Sequence, residues 1–153
     1  MKRVYLLSLL LLPFIGFSQN LIGKTKTQVK KKLQRQVTKN NNLSAVITDN
    51  DSLVVYSIKS KDAYPADFIY GFNKSGRCQS EKVITRCDSC FTRYLAATLA
   101  EKKYGWKKIN ENQYVSGYTY RMMIELPAES KELFYTILRT EWTKELYDML
   151  TGN

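Results

Sequence analysis

The chain contains no histidine. That absence removes Ser-His-Asp and Cys-His catalysis, His-ligated zinc and haem, and a simple histidine pH switch. Cysteine is limited to three residues and proline to three. There is no glycine-rich phosphate loop, no Asp-rich calcium loop and no spacing of carboxylates that marks a hydrolytic pair. Acidic residues are missing from Gln19 through Thr48. After Phe17 no apolar run is long enough to span a bilayer, which takes roughly 20 residues.

At 153 residues one domain is the natural count. A chain of this size buries roughly two-thirds of its unfolded surface and needs neither metal nor a dense disulfide framework to fold. A hydrophobic content of 44% and a charged content of 25% exclude a disordered chain.

The first eighteen residues read as an address. Met1-Lys2-Arg3 is a basic start, and Val4 to Phe17 is an apolar run broken by Ser8, Pro13 and Gly16. Gly16 and Ser18 supply small residues for a cleavage site, the layout of a secretory signal peptide. The run of ~14 residues is too short for a spanning helix, so no transmembrane anchor is expected. The expected organisation is a signal peptide over 1–18 and a single domain over 19–153. The expected location is the periplasm or the exterior. Without Lys2 and Arg3 the chain keeps 22 basic against 14 acidic residues, a net charge of +8. That balance favours anionic partners such as an acidic protein, lipid head group or polysaccharide of the cell envelope. Export makes nucleic acid the least natural of the anions.

Helical spacing and β-alternation then divide the chain. Thr25 to Lys39 reads as a helix, with Thr25 and Gln28 at capping-box spacing and Val29, Leu33 and Val37 as its stripe. Leu43–Thr48 and Ser52–Ile58 flank Asp49-Asn50-Asp51 as a hairpin. Phe68, Tyr70 and Phe72 alternate along a third strand. Arg77–Thr85 is a fourth strand whose polar pattern predicts an edge or solvent-facing position. Asp88 or Ser89 is expected to cap a second helix with a Phe91, Leu95, Leu99 stripe and a stop at Gly105. Trp106–Ile109 and Gln113–Ser116 flank another turn. The alternation Tyr118, Tyr120, Met122, Ile124, Leu126 predicts one half-buried strand, and Leu133–Arg139 another. Trp142, Leu146, Met149 and Leu150 have the spacing of a closing helix. The expected class is α+β, helices packed on an antiparallel β-meander sheet, in the rough order α-β-β-β-β-α-β-β-β-α. The two blocks share an order that a duplication would explain, without a residue-level repeat.

A helix followed by an antiparallel meander in an exported basic chain resembles small envelope modules of the SmpA/OmlA and β-lactamase-inhibitor-protein type. The residues that carry the resemblance are Leu21-Ile22-Gly23-Lys24-Thr25-Lys26-Thr27-Gln28-Val29 and the strands through Phe72. It implies a protein that binds protein partners and performs no chemistry. Lys39-Asn40-Asn41-Asn42 stands where those modules have a Gly-Xaa-Pro break, and no binding residue is carried over.

Three features are candidates for function. Lys24, Lys26, Lys30, Lys31, Lys32, Arg35 and Lys39 crowd sixteen residues. Such a run is ordinarily a solvated helix face. The missing acids also suit an anion-binding face, with Lys26, Lys30, Lys31 and Arg35 as first contacts, because exposed helices commonly mix signs to gain i,i+4 pairs. The second feature is Cys87-Asp88-Ser89-Cys90. In an oxidising compartment such a pair is ordinarily a structural disulfide. At a helix N-terminus beside Arg86 and Arg93 it is also the geometry of a thiol oxidoreductase, although Pro127, the proline such a site needs, sits in a turn. A straight strand puts Cys78 about 30 Å from Cys87 at roughly 3.3 Å per residue, leaving Cys78 free, buried or intermolecular, whereas a strand that bends back would let Cys78 reach one of the other two instead. The third feature is aromatic: Tyr114, Tyr118 and Tyr120 are placed to line a sheet face, or to cover the core as strand tyrosines usually do. The expectation is an exported binding protein, not an enzyme, with no cofactor and no metal ligands. A thiol oxidoreductase using Cys87 and Cys90, or a proteinaceous enzyme inhibitor, is the alternative.

Overall fold

The computed structural model describes residues 20–39, 44–59 and 64–152. The expected signal peptide, Leu43 and residues 60–63 of the polar loop lie outside the described residues. The elements are α1 (Lys26–Lys39), β1 (Ala45–Asp49), β2 (Leu53–Ile58), β3 (Ala66–Phe72), β4 (Cys78–Thr85) and α2 (Asp88–Leu99). They continue with β5 (Lys107–Asn110), β6 (Gln113–Val115), a 3-10 turn (Tyr118–Tyr120), β7 (Met122–Glu125), β8 (Leu133–Arg139) and α3 (Lys144–Thr151). The class is α+β, and the second block holds four strands, one more than the expected order.

The strands form one antiparallel sheet in the order β1-β2-β3-β4-β8-β7-β6-β5. Each block is a helix followed by a four-strand meander. The last strands of the two meanders, β4 and β8, pair at the centre, with Glu81 opposite Ile137 and Val83 opposite Tyr135. Helices α1 and α2 share one face, α1 over β1 and β2 and α2 over β4 and β8. Between helices and sheet lies one core that includes Val29, Leu33, Tyr56, Phe68, Tyr94 and Ile137. Each such side chain contributes roughly 1.5–3 kcal/mol on burial. The other face carries half-buried Val55, Ile69, Ile84 and Phe134, and α3 packs at the β5 end.

Local chemistry sets the boundaries. The capping box forms as read: Thr25 Oγ1 accepts from Gln28 N at 3.3 Å and Thr25 N donates to Gln28 Oε1 at 3.0 Å. Asn50 Oδ1 accepts from Ser52 N and Leu53 N and closes the first hairpin.

Four expectations are corrected. First, the polar strand β4 is central, paired on both sides. A bulge opposite Gly71–Phe72 shifts its alternation, so Cys78 and Glu81 both face the core while the polar Gln79 stays exposed. Second, Tyr118 and Tyr120 are not in a strand. They form a 3-10 turn after Gly117, ended by Arg121 in the left-handed region at φ 49°, and β7 starts only at Met122. Third, α2 is capped by Cys87, not Asp88 or Ser89, and ends at Ala100, before Gly105. Its fully buried residues are Cys90, Tyr94 and Thr98, with Phe91, Leu95 and Leu99 packed at the side. Fourth, α3 turns Tyr147 inward against Trp142 and Tyr118, and leaves Leu146, Met149 and Leu150 exposed.

Candidate functional site

The four basic residues singled out on α1 divide into two pairs. Lys26 and Lys30 converge on Asp49 at 3.4 and 3.1 Å, and Lys26 also donates to the Asn50 carbonyl. The Lys30 hydrogen bond holds the Asp49 carboxyl below its usual range. These exposed pairs tie α1 to the β1–β2 turn and add little stability. Lys31 and Arg35 are exposed and make no ion pair among the described residues. The tertiary fold adds a contributor the sequence reading did not place there. Lys32 is pulled below the ordinary lysine range by burial, then by Lys24 and Lys103, against the opposing pull of Glu101 and Glu81. Lys103 follows α2, and its influence on Lys32 is the weakest of these, behind those of Glu101 and Glu81.

Glu81, 2% exposed, lies on the central strand β4. Its carboxyl is hydrogen-bonded by the Leu21 backbone N–H and the Tyr70 hydroxyl, while Oε2 has no partner among the described residues. Burial dominates and pushes its pKa up to about 8. Sequence reasoning missed this residue because its inward orientation depends on the bulge.

Cys87 and Cys90 form the expected disulfide, with Cα atoms 5.2 Å apart. Cys87 is half-buried and its Sγ accepts the Cys90 N–H at 3.1 Å, whereas Cys90 is buried. The flanking arginines are engaged elsewhere: Arg86 meets Asp67 at 3.7 Å, and Arg93 donates to the Tyr64 hydroxyl at 2.9 Å while stacking over its ring. Ala66 pairs with Thr85, so Tyr64-Pro65, and not Pro127, runs beside Arg86-Cys87. Cys78 is free and buried at the opposite end of β4, its thiol pushed up to about 12 by desolvation. It is therefore a poor nucleophile at neutral pH.

Tyr114, Tyr118 and Tyr120 do not share a sheet face, since only Tyr114 lies on a strand. Tyr120 instead stacks edge-on against Tyr104, with Lys103 above both rings at 5.9 and 5.4 Å. Tyr56, Tyr94 and Tyr135 go to the core. Among the described residues no group of three Cys, Asp or Glu converges as a metal site, and no helix is long and apolar enough to cross a membrane.

Comparison with known protein families, with curated proteins and with solved structures finds no match.

Proposed function

We propose that this is an exported binding protein without catalytic chemistry, which recognises an acidic partner in the cell envelope through the outward face of α1. The observation that carries the reading is the division among the four candidate cations: Asp49 engages Lys26 and Lys30, while Lys31 and Arg35 stand exposed without a carboxylate. Like charges held together on a folded surface are stabilised by an anionic partner, which also accelerates association at low salt. Lys24 and Lys32 belong to the same basic run.

The test is binding of envelope extract components to wild type and to the Lys31→Gln/Arg35→Gln variant across a salt series. The variant is expected to bind several-fold more weakly and to lose part of the salt dependence. Equal binding with an equal salt slope would sink the reading.

A second reading takes Cys87 and Cys90 as a thiol-exchange pair, favoured by the half-exposed Cys87 sulfur beside a buried Cys90. An incoming thiolate would attack Cys87 and release Cys90 as the leaving thiolate. Insulin reduction with dithiothreitol as the electron donor, faster than dithiothreitol alone in wild type and no faster in Cys87→Ser, would support it, and no wild-type activity above dithiothreitol alone would reject it.

A further inference from the structure

The end of the β7–β8 pair carries two cations that the sequence does not place together. Met122 pairs with Arg139, and Thr140 N donates to the Arg121 carbonyl at 2.8 Å, so Arg121 and Arg139 stand at the same end of the sheet, one on each strand. Arg121 holds φ 49° and ψ 56°, and no other non-glycine residue among those described has a positive φ. A left-handed conformation costs an L-residue roughly 1–2 kcal/mol, and outliers of this kind gather at functional sites.

Between this end and α3 lies an open cavity of ≈ 570 Å³, walled by Tyr118, Arg121, Arg139, Thr140, Trp142 and Lys144. Glu141, Thr143 and Glu145 complete its lining. Neither carboxylate makes an ion pair with Arg121 or Arg139 among the described residues. Glu145 is turned to its own backbone N–H and to Thr143 at the start of α3, and Glu141 makes no ion pair among the described residues. Lys144 is committed to Asp148 at 2.6 Å. Among the described residues Arg121 donates to the Tyr118 hydroxyl at 3.4 Å and stands over the Tyr118 ring at 5.4 Å, and Arg139 lies against Gly23, where a Cβ would stand 3.2 Å from Nη1.

A second, independent feature sits in the same wall. Thr140 is 8% exposed and its Oγ1 has no hydrogen-bond partner among the described residues. An orphaned buried hydroxyl costs free energy that a ligand oxygen removes. Because Oγ1 is closed off from water, it reaches a ligand only after the side chain rotates about χ1. We propose that this cavity binds a small molecule through its phosphate or carboxylate group, gripped by the Arg121 and Arg139 guanidinium forks, with the Thr140 hydroxyl donating to it and Tyr118 and Trp142 flanking its body. Arginine forks match both oxyanions bidentately, and the volume exceeds what a bare ion fills.

The experiment is a titration of the purified protein with inorganic phosphate and, separately, with succinate, read by NMR shifts of the Arg121 and Thr140 amides and the Trp142 indole, with chloride as control. Saturable shifts with one or both probes, absent with chloride, are expected, and the preferred probe tells phosphate from carboxylate. Arg121→Asn keeps a residue that tolerates the left-handed conformation and is expected to weaken binding by about tenfold. Arg139→Gln should act similarly, and Thr140→Val should weaken it several-fold. Lys31→Gln/Arg35→Gln should leave these shifts unchanged, which separates this cavity from the α1 face. Lack of saturation with either probe, or unaltered affinity in folded Arg121→Asn and Arg139→Gln proteins, overturns the proposal.

Discussion

Glu81 is the residue whose chemistry most departs from its ordinary state. Its pKa in an unfolded chain lies near the usual carboxylate value of 4.5, and in the folded protein it rises to about 8 because burial disfavours the anion. Between those values the unfolded chain has released a proton that the folded one still holds. Folding stability therefore falls as pH rises through that window and levels off above it. The groups facing it are Tyr70 on β3, Cys78 on its own strand, Tyr135 on β8, Lys32 on α1 and Glu101 after α2. Glu81→Gln keeps the acceptor for the Leu21 N–H and the Tyr70 hydroxyl but does not ionise. Urea unfolding at about pH 5 and about pH 8 should show wild type losing stability by several kcal/mol more than the variant. Parallel losses in both proteins would show that Glu81 does not carry the pH dependence.

At the scale of elements, helix existence and position were legible, and helix rotation was not. The α1 capping box and its Val29, Leu33 stripe stand as read, because both depend on neighbours within one turn. In α2 the choice between the 90/94/98 row and the 91/95/99 row was made by contact with the sheet, where Tyr94 meets Phe68 edge-on and Thr98 pairs with the Tyr135 hydroxyl at 2.9 Å. In α3 the aromatic cluster of Trp142, Tyr147 and Tyr118 outcompeted the aliphatic stripe for burial. The disulfide at the α2 N-terminus closes a short loop, so it restricts the unfolded chain only a little. Cys87→Ser/Cys90→Ser is expected to lower stability by about 2 kcal/mol or less and to leave the far-UV circular dichroism unchanged. A collapse of the fold in that variant would give the bridge a larger structural role.

At the scale of the molecule, the two helix-plus-meander blocks share a single seam, the β4–β8 pair, and α2 lies across it. That arrangement predicts one cooperative unit. Ile137→Ala removes a buried seam residue, 2% exposed, and should cost about 2–5 kcal/mol. Both tryptophans, Trp106 and Trp142, lie in the second block, so their fluorescence reports that block while circular dichroism reports both. The two unfolding curves should coincide in wild type and in Ile137→Ala. Separate midpoints would mean that the blocks fold independently.

The sequence by itself determined the α+β class, the two helix-plus-meander blocks and the basic character of α1, and it pointed to the Cys87–Cys90 bridge that the structure contains. Each follows from residues close together in the chain, through periodicity, capping or a three-residue spacing. The tertiary structure decided what depends on partners distant in sequence. It placed polar β4 at the sheet centre, because pairing with β8 and a bulge beside Gly71 matter more there than hydropathy. It turned Glu81 inward, gave Lys26 and Lys30 an acid from the β1–β2 turn, and set Arg121 and Arg139 at the same end of the β7–β8 pair. It also replaced the expected Tyr118–Leu126 strand by a turn, since alternation of side chains does not specify whether the backbone after Gly117 finds a strand to pair with.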